Sequence, residues 1–152
     1  MIVLDTHVLV WWVDGERKKL SRNAVQALQQ HSKRNELLVS SISFFEIATL
    51  ERRGRLRFSM PATAWLASVR RLPEYRLEPL TDDIAERAGQ FGDAFPGDPA
   101  DRLIAATALV RNAPLVTHDA RLREVQSLQT SGEFERRHGR CRSEGLPEVG
   151  SG

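Results

Sequence analysis

Short strand-like runs that alternate with helical patterns constrain the fold of this sequence more than any other feature. Residues 2–4, 36–41 and 115–117 are short apolar runs, and residues 75–80 alternate between apolar and polar side chains. Helical patterns separate these runs and begin near residues 7, 21, 43, 61, 81, 100 and 119. Strands that alternate with helices predict an α/β fold with one parallel sheet and right-handed crossovers.

The starts of two helices are marked by side chains that can cap them. Ser43 and Glu46 have the spacing of a capping box, in which Ser43 caps the helix and Glu46 reaches back to it. Asp98 precedes Pro99, and proline is favoured at a first helical position. The helix predicted over residues 100–111 is apolar almost all round, so we expect it to be buried.

The length of 152 residues is that of one ordinary domain. The strand and helix pattern continues to about residue 128 and then fails. We therefore predict one domain over residues 1–128 and a polar, mobile tail over residues 129–152.

Cysteine usage and hydropathy predict a cytoplasmic protein. Cys141 is the only cysteine and has no partner within the chain, as expected in a reducing compartment. No apolar run approaches the roughly 20 residues that a membrane span needs. Residues 1–13 are apolar, but Asp5 and His7 interrupt them and no basic segment precedes them, so we expect no signal peptide.

Arginine supplies almost all of the positive charge. Lysine occurs only at Lys18, Lys19 and Lys33, so 19 of the 22 basic residues are arginine. Residues 51–76 hold seven arginines against two acids. This local excess suits a nucleic acid or an acidic partner, and it is also compatible with a solvated helix face.

Acidic residues follow the strands or open the helices after them. They are Asp5, Glu46, Asp98, Asp101 and Asp119. Because ligands of open parallel sheets bind beyond the carboxyl ends of the strands, we expect these acids at one edge of the sheet. Gathered carboxylates repel one another, and a divalent cation relieves that repulsion. Oxygen ligands favour Mg²⁺ or Mn²⁺ over zinc, and such a site can hydrolyse a phosphodiester.

Each acid also has a structural interpretation. Asp5, Asp98 and Asp119 can be helix caps, and Glu46 can belong to the capping box. Asp101, the third residue of an otherwise apolar helix, is harder to explain as a cap. The joint placement of all five at one edge favours the metal site.

Aromatic residues lie near two of the acids. His7 and His118 flank acids at the same edge, where they can contact a phosphate, transfer a proton or serve a local structural role. Trp11 and Trp12 are consecutive, so we expect one to face the core and the other a partner.

Four motifs occur in a fixed order along the chain. They are Leu4-Asp5-Thr6-His7, Ser43-Phe-Phe-Glu46, Asp98-Pro-Ala-Asp101 and Val116-Thr-His-Asp119. In this order they resemble the motifs of PIN-domain ribonucleases, and among these the VapC-type toxins of bacterial toxin–antitoxin pairs. The resemblance extends over about residues 1–125, and the third motif is its most specific part.

The resemblance implies a three-layer α/β/α fold and a metal-dependent endoribonuclease. It implies a central parallel sheet of strand order 3-2-1-4-5, although the sequence after residue 126 offers no clear fifth strand. The implied catalytic and metal-binding residues are Asp5, Glu46, Asp101 and Asp119, which would hold Mg²⁺ or Mn²⁺. Asp98 would be an auxiliary acid, and Thr6 would support the geometry of the site.

The resemblance also implies partners. The substrate would be a structured RNA of the tRNA or rRNA class, cut in exposed single-stranded stretches. A VapB-like antitoxin would cover the site, and the protein would form homodimers. We expect Arg52, Arg53, Arg102 and His118 to contact the RNA.

The sequence argues against two other classes of α/β protein and leaves one alternative open. Haloacid-dehalogenase-like phosphatases and response-regulator receivers need a late lysine, and no lysine follows Lys33. The phosphatases also need a second acid two residues after the first, where this chain has His7. The alternative that stays open is a non-catalytic PIN-like module that binds RNA or protein, although such a module would usually have lost an acid.

Overall fold

The computed structural model describes residues 1–123 of the chain. In this range one sheet contains the parallel strands β1 (Ile2–Leu4), β2 (Leu37–Ser40), β3 (Tyr75–Glu78) and β4 (Leu115–Val116). Their order is β3-β2-β1-β4, which confirms the first four positions of the expected order. The fifth strand and the tail over residues 129–152 lie outside the described residues.

Helices connect and flank these strands. In the described range they are α1 (Thr6–Val13), α2 (Arg22–Ser32), α3 (Ser41–Arg52), α4 (Ala62–Arg71), α5 (Asp82–Gly89), α6 (Pro99–Val110) and α7 (Ala120–Arg123). A short 3-10 turn at Arg17–Lys19 precedes α2. No helix in residues 1–123 is long and apolar enough to cross a membrane.

The sheet is buried on both faces, because successive side chains point to opposite sides. On one face Leu4 packs in a cluster with Leu28 of α2 and Trp65 of α4. On the other face Val3 packs in a cluster with Ile104 of α6. Each fully buried leucine or isoleucine stabilises the fold by roughly 1.5–3 kcal/mol. The arrangement is the expected three-layer α/β/α fold.

Helix α6 is a buried platform, as its apolar pattern predicts. Ala105 and Ala106 are fully buried, and the small side chain of Ala106 packs against Ile84 of α5. The first turn of α6, with Asp98 as its N-cap and Asp101 inside it, is thereby fixed beside the sheet.

The predicted capping box at Ser43 is wrong. Helix α3 begins two residues earlier, at Ser41, and its N-cap is Ser40, whose side chain accepts from the backbone N–H of Ile42. Ser43 is buried inside the helix, where its Oγ accepts a hydrogen bond of 3.0 Å from the hydroxyl of Thr6. The Ser-x-x-Glu spacing is present, but β2 ends at Ser40 and the chain enters the helix there.

Candidate metal centre

Asp5 lies at the carboxyl end of β1 and caps helix α1. Its Oδ1 accepts from the backbone N–H of Thr6 at 2.8 Å, and its Oδ2 accepts from the hydroxyl of Thr117 at 2.7 Å. The residue is only 8% exposed. Burial raises the pKa of its carboxyl, the two hydrogen bonds and His7 oppose that rise, and the charge of Asp119 adds to it.

Three acids from two helices form a compact cluster next to Asp5. One carboxylate oxygen each from Glu46, Asp98 and Asp101 can be chosen so that all lie within 4.8 Å of one another. The Asp98 side chain accepts from the backbone N–H of Asp101 at 3.0 Å, and the Asp101 side chain accepts from that of Asp98 at 3.2 Å. This reciprocal capping box explains why Asp98 and Asp101 lie side by side.

The cluster is electrostatically strained, as the acid at its centre shows. Burial and then the charges of Asp5, Asp98 and Glu46 raise the pKa of Asp101 to about 7. Burial also raises the pKa of Glu46, and the charges of Asp98 and Asp5 add to that effect. The nearby side chain of Thr6 favours the ionised form of Glu46 and opposes the rise. A nearby cation would stabilise the charged forms of these carboxylates.

Asp119 is joined to Asp5 but its carboxylate is held by an arginine. Its backbone N–H donates to the Thr117 hydroxyl at 3.0 Å, so Thr117 links the two acids. Arg121 donates to both carboxylate oxygens of Asp119, at 3.1 and 2.8 Å. These hydrogen bonds lower the pKa of Asp119. The negative charges of Asp98 and Asp101 also stabilise the Arg121 cation and raise its pKa.

The donor set fits a hard divalent cation. The oxygens of Glu46, Asp98 and Asp101 are all carboxylate oxygens, and no sulfur or imidazole belongs to their group among the described residues. Such ligands suit Mg²⁺ or Mn²⁺ rather than zinc. Both oxygens of Asp5 already accept hydrogen bonds, but each carboxylate oxygen has further lone pairs for a ligand.

The sequence motifs do not indicate a role for two residues that position this cluster. Thr117 lies within the fourth motif, and in the structure it bridges Asp5 and Asp119. Gly97 has a φ of +98°, and a Cβ added to it would lie 2.6 Å from the Cβ of Asp101. A glycine directly before an Asp-Pro helix start is the signal that could have indicated this contact.

The four residues expected to contact RNA occupy different surroundings. Arg52 and Arg53 are exposed at the end of α3, and His118 is exposed beside Asp119. Arg102, in contrast, donates to the backbone carbonyls of Phe91 and Phe95 at 3.2 and 2.9 Å. Its guanidinium therefore braces the connection between α5 and α6.

Replacing Thr117 with valine is expected to destabilise the protein by about 1–3 kcal/mol, because a buried carboxylate loses a hydrogen bond. The Thr117 hydroxyl favours the ionised form of Asp5, so its loss raises the pKa of Asp5 further. The destabilisation is therefore expected to be larger at about pH 8 than at about pH 4, because the hydroxyl stabilises the ionised carboxylate and the ionised fraction grows with pH. Urea unfolding at both pH values measures the difference.

Thr107→Val is the matched control for that variant. Thr107 is also buried, but its hydroxyl donates to the carbonyl of Leu103 within its own helix. Its replacement is expected to change stability little and without dependence on pH. Equal effects of both variants at both pH values would contradict the bridging role of Thr117.

Comparisons with known proteins agree on one family. The family model of the PIN domain matches residues 2–128. The chain is 42% identical over 123 residues to Ribonuclease VapC22 of Mycobacterium tuberculosis, which covers 80% of this chain and 89% of that protein.

Solved structures with the same fold each match 86% of this chain. One is VapBC2 of Rickettsia felis, solved with a DNA fragment from the promoter of VapBC2. It matches over 97% of its chain, with 18% identity and a TM-score of 0.63. DNA-bound VapBC of Salmonella typhimurium matches over 97% of its chain, with 16% identity and a TM-score of 0.61. A toxin–antitoxin complex from Klebsiella pneumoniae matches over 98% of its chain, with 19% identity and a TM-score of 0.57.

Proposed function

The chain belongs to the PIN-domain family, and on that basis we propose that it is a divalent-metal-dependent endoribonuclease, the toxin of a type II toxin–antitoxin pair. The observation that carries the proposal is the cluster of Glu46, Asp98 and Asp101 beside Asp5, at the edge of a parallel sheet where ligands bind. The 42% identity to a protein named as a ribonuclease supports the reaction class.

In this proposal Asp5, Glu46, Asp101 and Asp119 hold the ion, and Asp98 is an auxiliary acid. We propose Mg²⁺ or Mn²⁺, which when bound activates water and stabilises the charge that develops on a phosphodiester. The close approach of Asp98 to Glu46 and Asp101 supports a direct part for it as well.

Neighbouring residues of the chain orient these carboxylates. Thr6 donates its backbone N–H to Asp5, and Thr117 holds the other oxygen of that carboxylate. Arg121 supplies a positive charge at Asp119, where a phosphate of the substrate can share it.

RNA of the tRNA or rRNA class is the proposed substrate. The exposed arginines at the end of α3, Arg52 and Arg53, suit the phosphate backbone. Arg102 is better explained by its two hydrogen bonds to backbone carbonyls. Cleavage is therefore expected to weaken when Arg52 and Arg53 are replaced and to depend steeply on salt.

A VapB-like antitoxin is the proposed partner. The solved structures of the same fold are toxin–antitoxin or VapBC complexes, which supports a partner chain of this kind. We also propose that the protein forms homodimers and acts on cytoplasmic RNA.

The decisive experiment is cleavage of total RNA by the purified protein without antitoxin. Discrete cuts are expected with Mg²⁺ or Mn²⁺, and none with a chelator, because the carboxylate cluster needs a cation to bind phosphate. A mock purification from the same host controls for trace nucleases. RNA binding without any cleavage by a folded protein would favour the non-catalytic PIN-like module.

The stability of the metal-free protein is expected to fall as the pH rises from about 4 to about 7. Asp5, Glu46 and Asp101 all have raised pKa values, so the folded protein binds protons more tightly than the unfolded chain. Their stabilising contribution is complete below the unfolded pKa of about 4. It is lost as the pH passes the folded pKa of Asp101, about 7.

Thermal unfolding in chelator across this pH range tests that trend. Adding Mn²⁺ at about pH 7 is expected to raise the melting temperature, because the ion binds the folded state alone. Two results together would argue against a metal-binding cluster. They are a melting temperature that rises between about pH 5 and about pH 7 in chelator, and a melting temperature that Mn²⁺ does not change.

A further inference from the structure

A small cavity lies beside the acid cluster, between the end of β4, helix α1 and the start of α2. Its volume is about 140 Å³. Its floor is apolar and includes Val8, Leu20 and Val116. The volume is well below the roughly 300–1,000 Å³ of pockets that enclose a whole small molecule. It is several times the roughly 30 Å³ share of one water, so it suits one part of a longer ligand.

The mouth of this cavity is basic. Lys19, His118 and Arg123 all line it and all are exposed. Lys19 also forms an ion pair with Glu16, whose paired carboxylate oxygen is itself buried, while the Lys19 side chain is 56% exposed. A phosphate at the mouth would therefore share this cation with Glu16. Three nitrogen-bearing side chains around an apolar floor suit a ligand that is both anionic and partly apolar.

Two further aromatic rings, of Trp11 and His7, lie next to His118 at the mouth of the cavity. The rings of Trp11 and His118 meet edge to face, with centroids 4.9 Å apart. The ring of His7 lies 5.8 Å from that of Trp11, and the Lys19 Nζ lies 5.8 Å from the Trp11 centroid. Aromatic rings interleaved with cations are the surface that single-stranded nucleic acids use, because bases stack on the rings and phosphates meet the cations.

The cavity and the acid cluster share a wall. Thr117 lines the cavity, and its hydroxyl donates to Asp5 at 2.7 Å. His118, at the mouth, directly precedes Asp119. A nucleotide in the cavity would therefore be next to a phosphodiester held at the carboxylates.

We propose that this cavity, together with its basic mouth and the neighbouring Trp11 ring, binds one nucleotide of single-stranded RNA, adjacent to the bond that is cut. Its phosphate meets Lys19 and Arg123, and its base lies against the Trp11–His118 pair. This inference rests on the proposed ribonuclease function, since it assigns a subsite for the substrate of that reaction.

The test measures binding of a fluorescently labelled oligouridine to the full chain in chelator, where no cleavage occurs. Replacing both Lys19 and Arg123 with alanine is expected to lower the affinity about 10-fold. It should also reduce the slope of log affinity against log salt by about 0.7, the contribution of one phosphate contact of a single strand, since both cations meet the same phosphate. Thermal unfolding confirms that the variant is folded.

The double variant Lys33→Ala/Arg34→Ala is the matched control. It removes the same charge at the opposite end of α2, where both side chains are exposed. Its affinity is expected to stay within about twofold of wild type, with an unchanged salt slope. Equal losses in the two double variants would overturn the proposal, because only general electrostatic attraction would remain.

The ring of Trp11 has a separate test. Trp11→Leu is expected to lower the affinity about 5- to 10-fold without changing the salt slope, and Trp11→Phe should retain most of it. Uridine 3′,5′-bisphosphate should compete for the cavity better than inorganic phosphate. Equal competition by the two, or no effect of Trp11→Leu, would overturn the placement of a base.

Failure of this inference and failure of the proposed function are distinguishable. If the protein cleaves total RNA but the Lys19 and Arg123 replacements do not change oligouridine binding, the subsite is overturned and the ribonuclease function stands. Binding that depends on these residues, without cleavage in any metal, would support the subsite and overturn the function. A wild-type protein that binds no oligouridine would overturn the subsite outright.

Discussion

Asp101→Asn is expected to lower metal-dependent RNA cleavage by at least about 10²–10³-fold, the usual cost of removing an essential electrostatic group. Asparagine keeps the size of the side chain, and its carbonyl oxygen can still accept from the backbone N–H of Asp98, as Asp101 does at 3.2 Å. It removes the charge that would hold the ion. Cleavage of total RNA, compared at equal concentrations of folded protein, gives the ratio.

The same variant is expected to be at least as stable as wild type in chelator at about pH 7. Burial and three neighbouring carboxylates raise the pKa of Asp101 to about 7, so its ionised form is disfavoured in the folded state. Addition of Mn²⁺ should stabilise wild type more than the variant.

Asp93→Asn serves as the control, because Asp93 is an exposed acid in the connection before α6. It should cut RNA like wild type. Undiminished cleavage by Asp101→Asn would remove Asp101 from the catalytic residues, and a shared loss in both variants would point to net charge instead.

Gly97→Ala is expected to lower cleavage about 100-fold, the scale on which a 1 Å displacement of a reacting group acts. A φ of +98° disfavours any side chain, and the new Cβ would lie 2.6 Å from the Cβ and 2.8 Å from the Oδ2 of Asp101. Since α6 is packed against α5 and the sheet, the Asp101 side chain or the turn before α6 must shift. A loss of about 1–3 kcal/mol in stability should accompany the change.

Gly92→Ala is the matched control. Gly92 lies in the same connection, and nothing is within 4 Å of a Cβ added there. Circular dichroism and cleavage at low temperature separate misfolding from a displaced carboxylate. A folded Gly97→Ala protein with wild-type activity would refute the role of Gly97 in positioning Asp101.

The fold was predictable because local signals and burial agree. The residues of β1, β2 and β4 are buried, and all of them except Ser40 are apolar. Helix α6 begins at Asp98-Pro99, as the sequence pattern predicts. Ser43 shows the limit of such reasoning. Its spacing to Glu46 satisfies a capping pattern, but the tertiary contact with Thr6 decides where the serine lies.

The site was predictable to the level of the sheet edge and no further. Asp5 and Glu46 both raise the pKa of Asp101, and Asp5 raises that of Glu46, as expected for acids that follow strands or open helices at one edge of the sheet. That Asp98 would lie within ligand distance of Glu46 depends on a turn that the acids themselves do not encode. Arg121 forms a hydrogen bond with Asp119, two residues away, and no repeating pattern in the sequence indicates this contact.

The central position of β1 has a consequence for the making of the protein. Asp5 leaves the ribosome well before its hydrogen-bond partner Thr117, which follows 112 residues later. Strand β4 and the first turn of α6 are also late in the chain, and synthesis proceeds from the N-terminus. The carboxylates therefore cannot converge until translation of the domain is nearly finished. A chain that stops before α6 lacks Asp98 and Asp101, so the proposed cleavage of RNA needs residues that are made late in the domain.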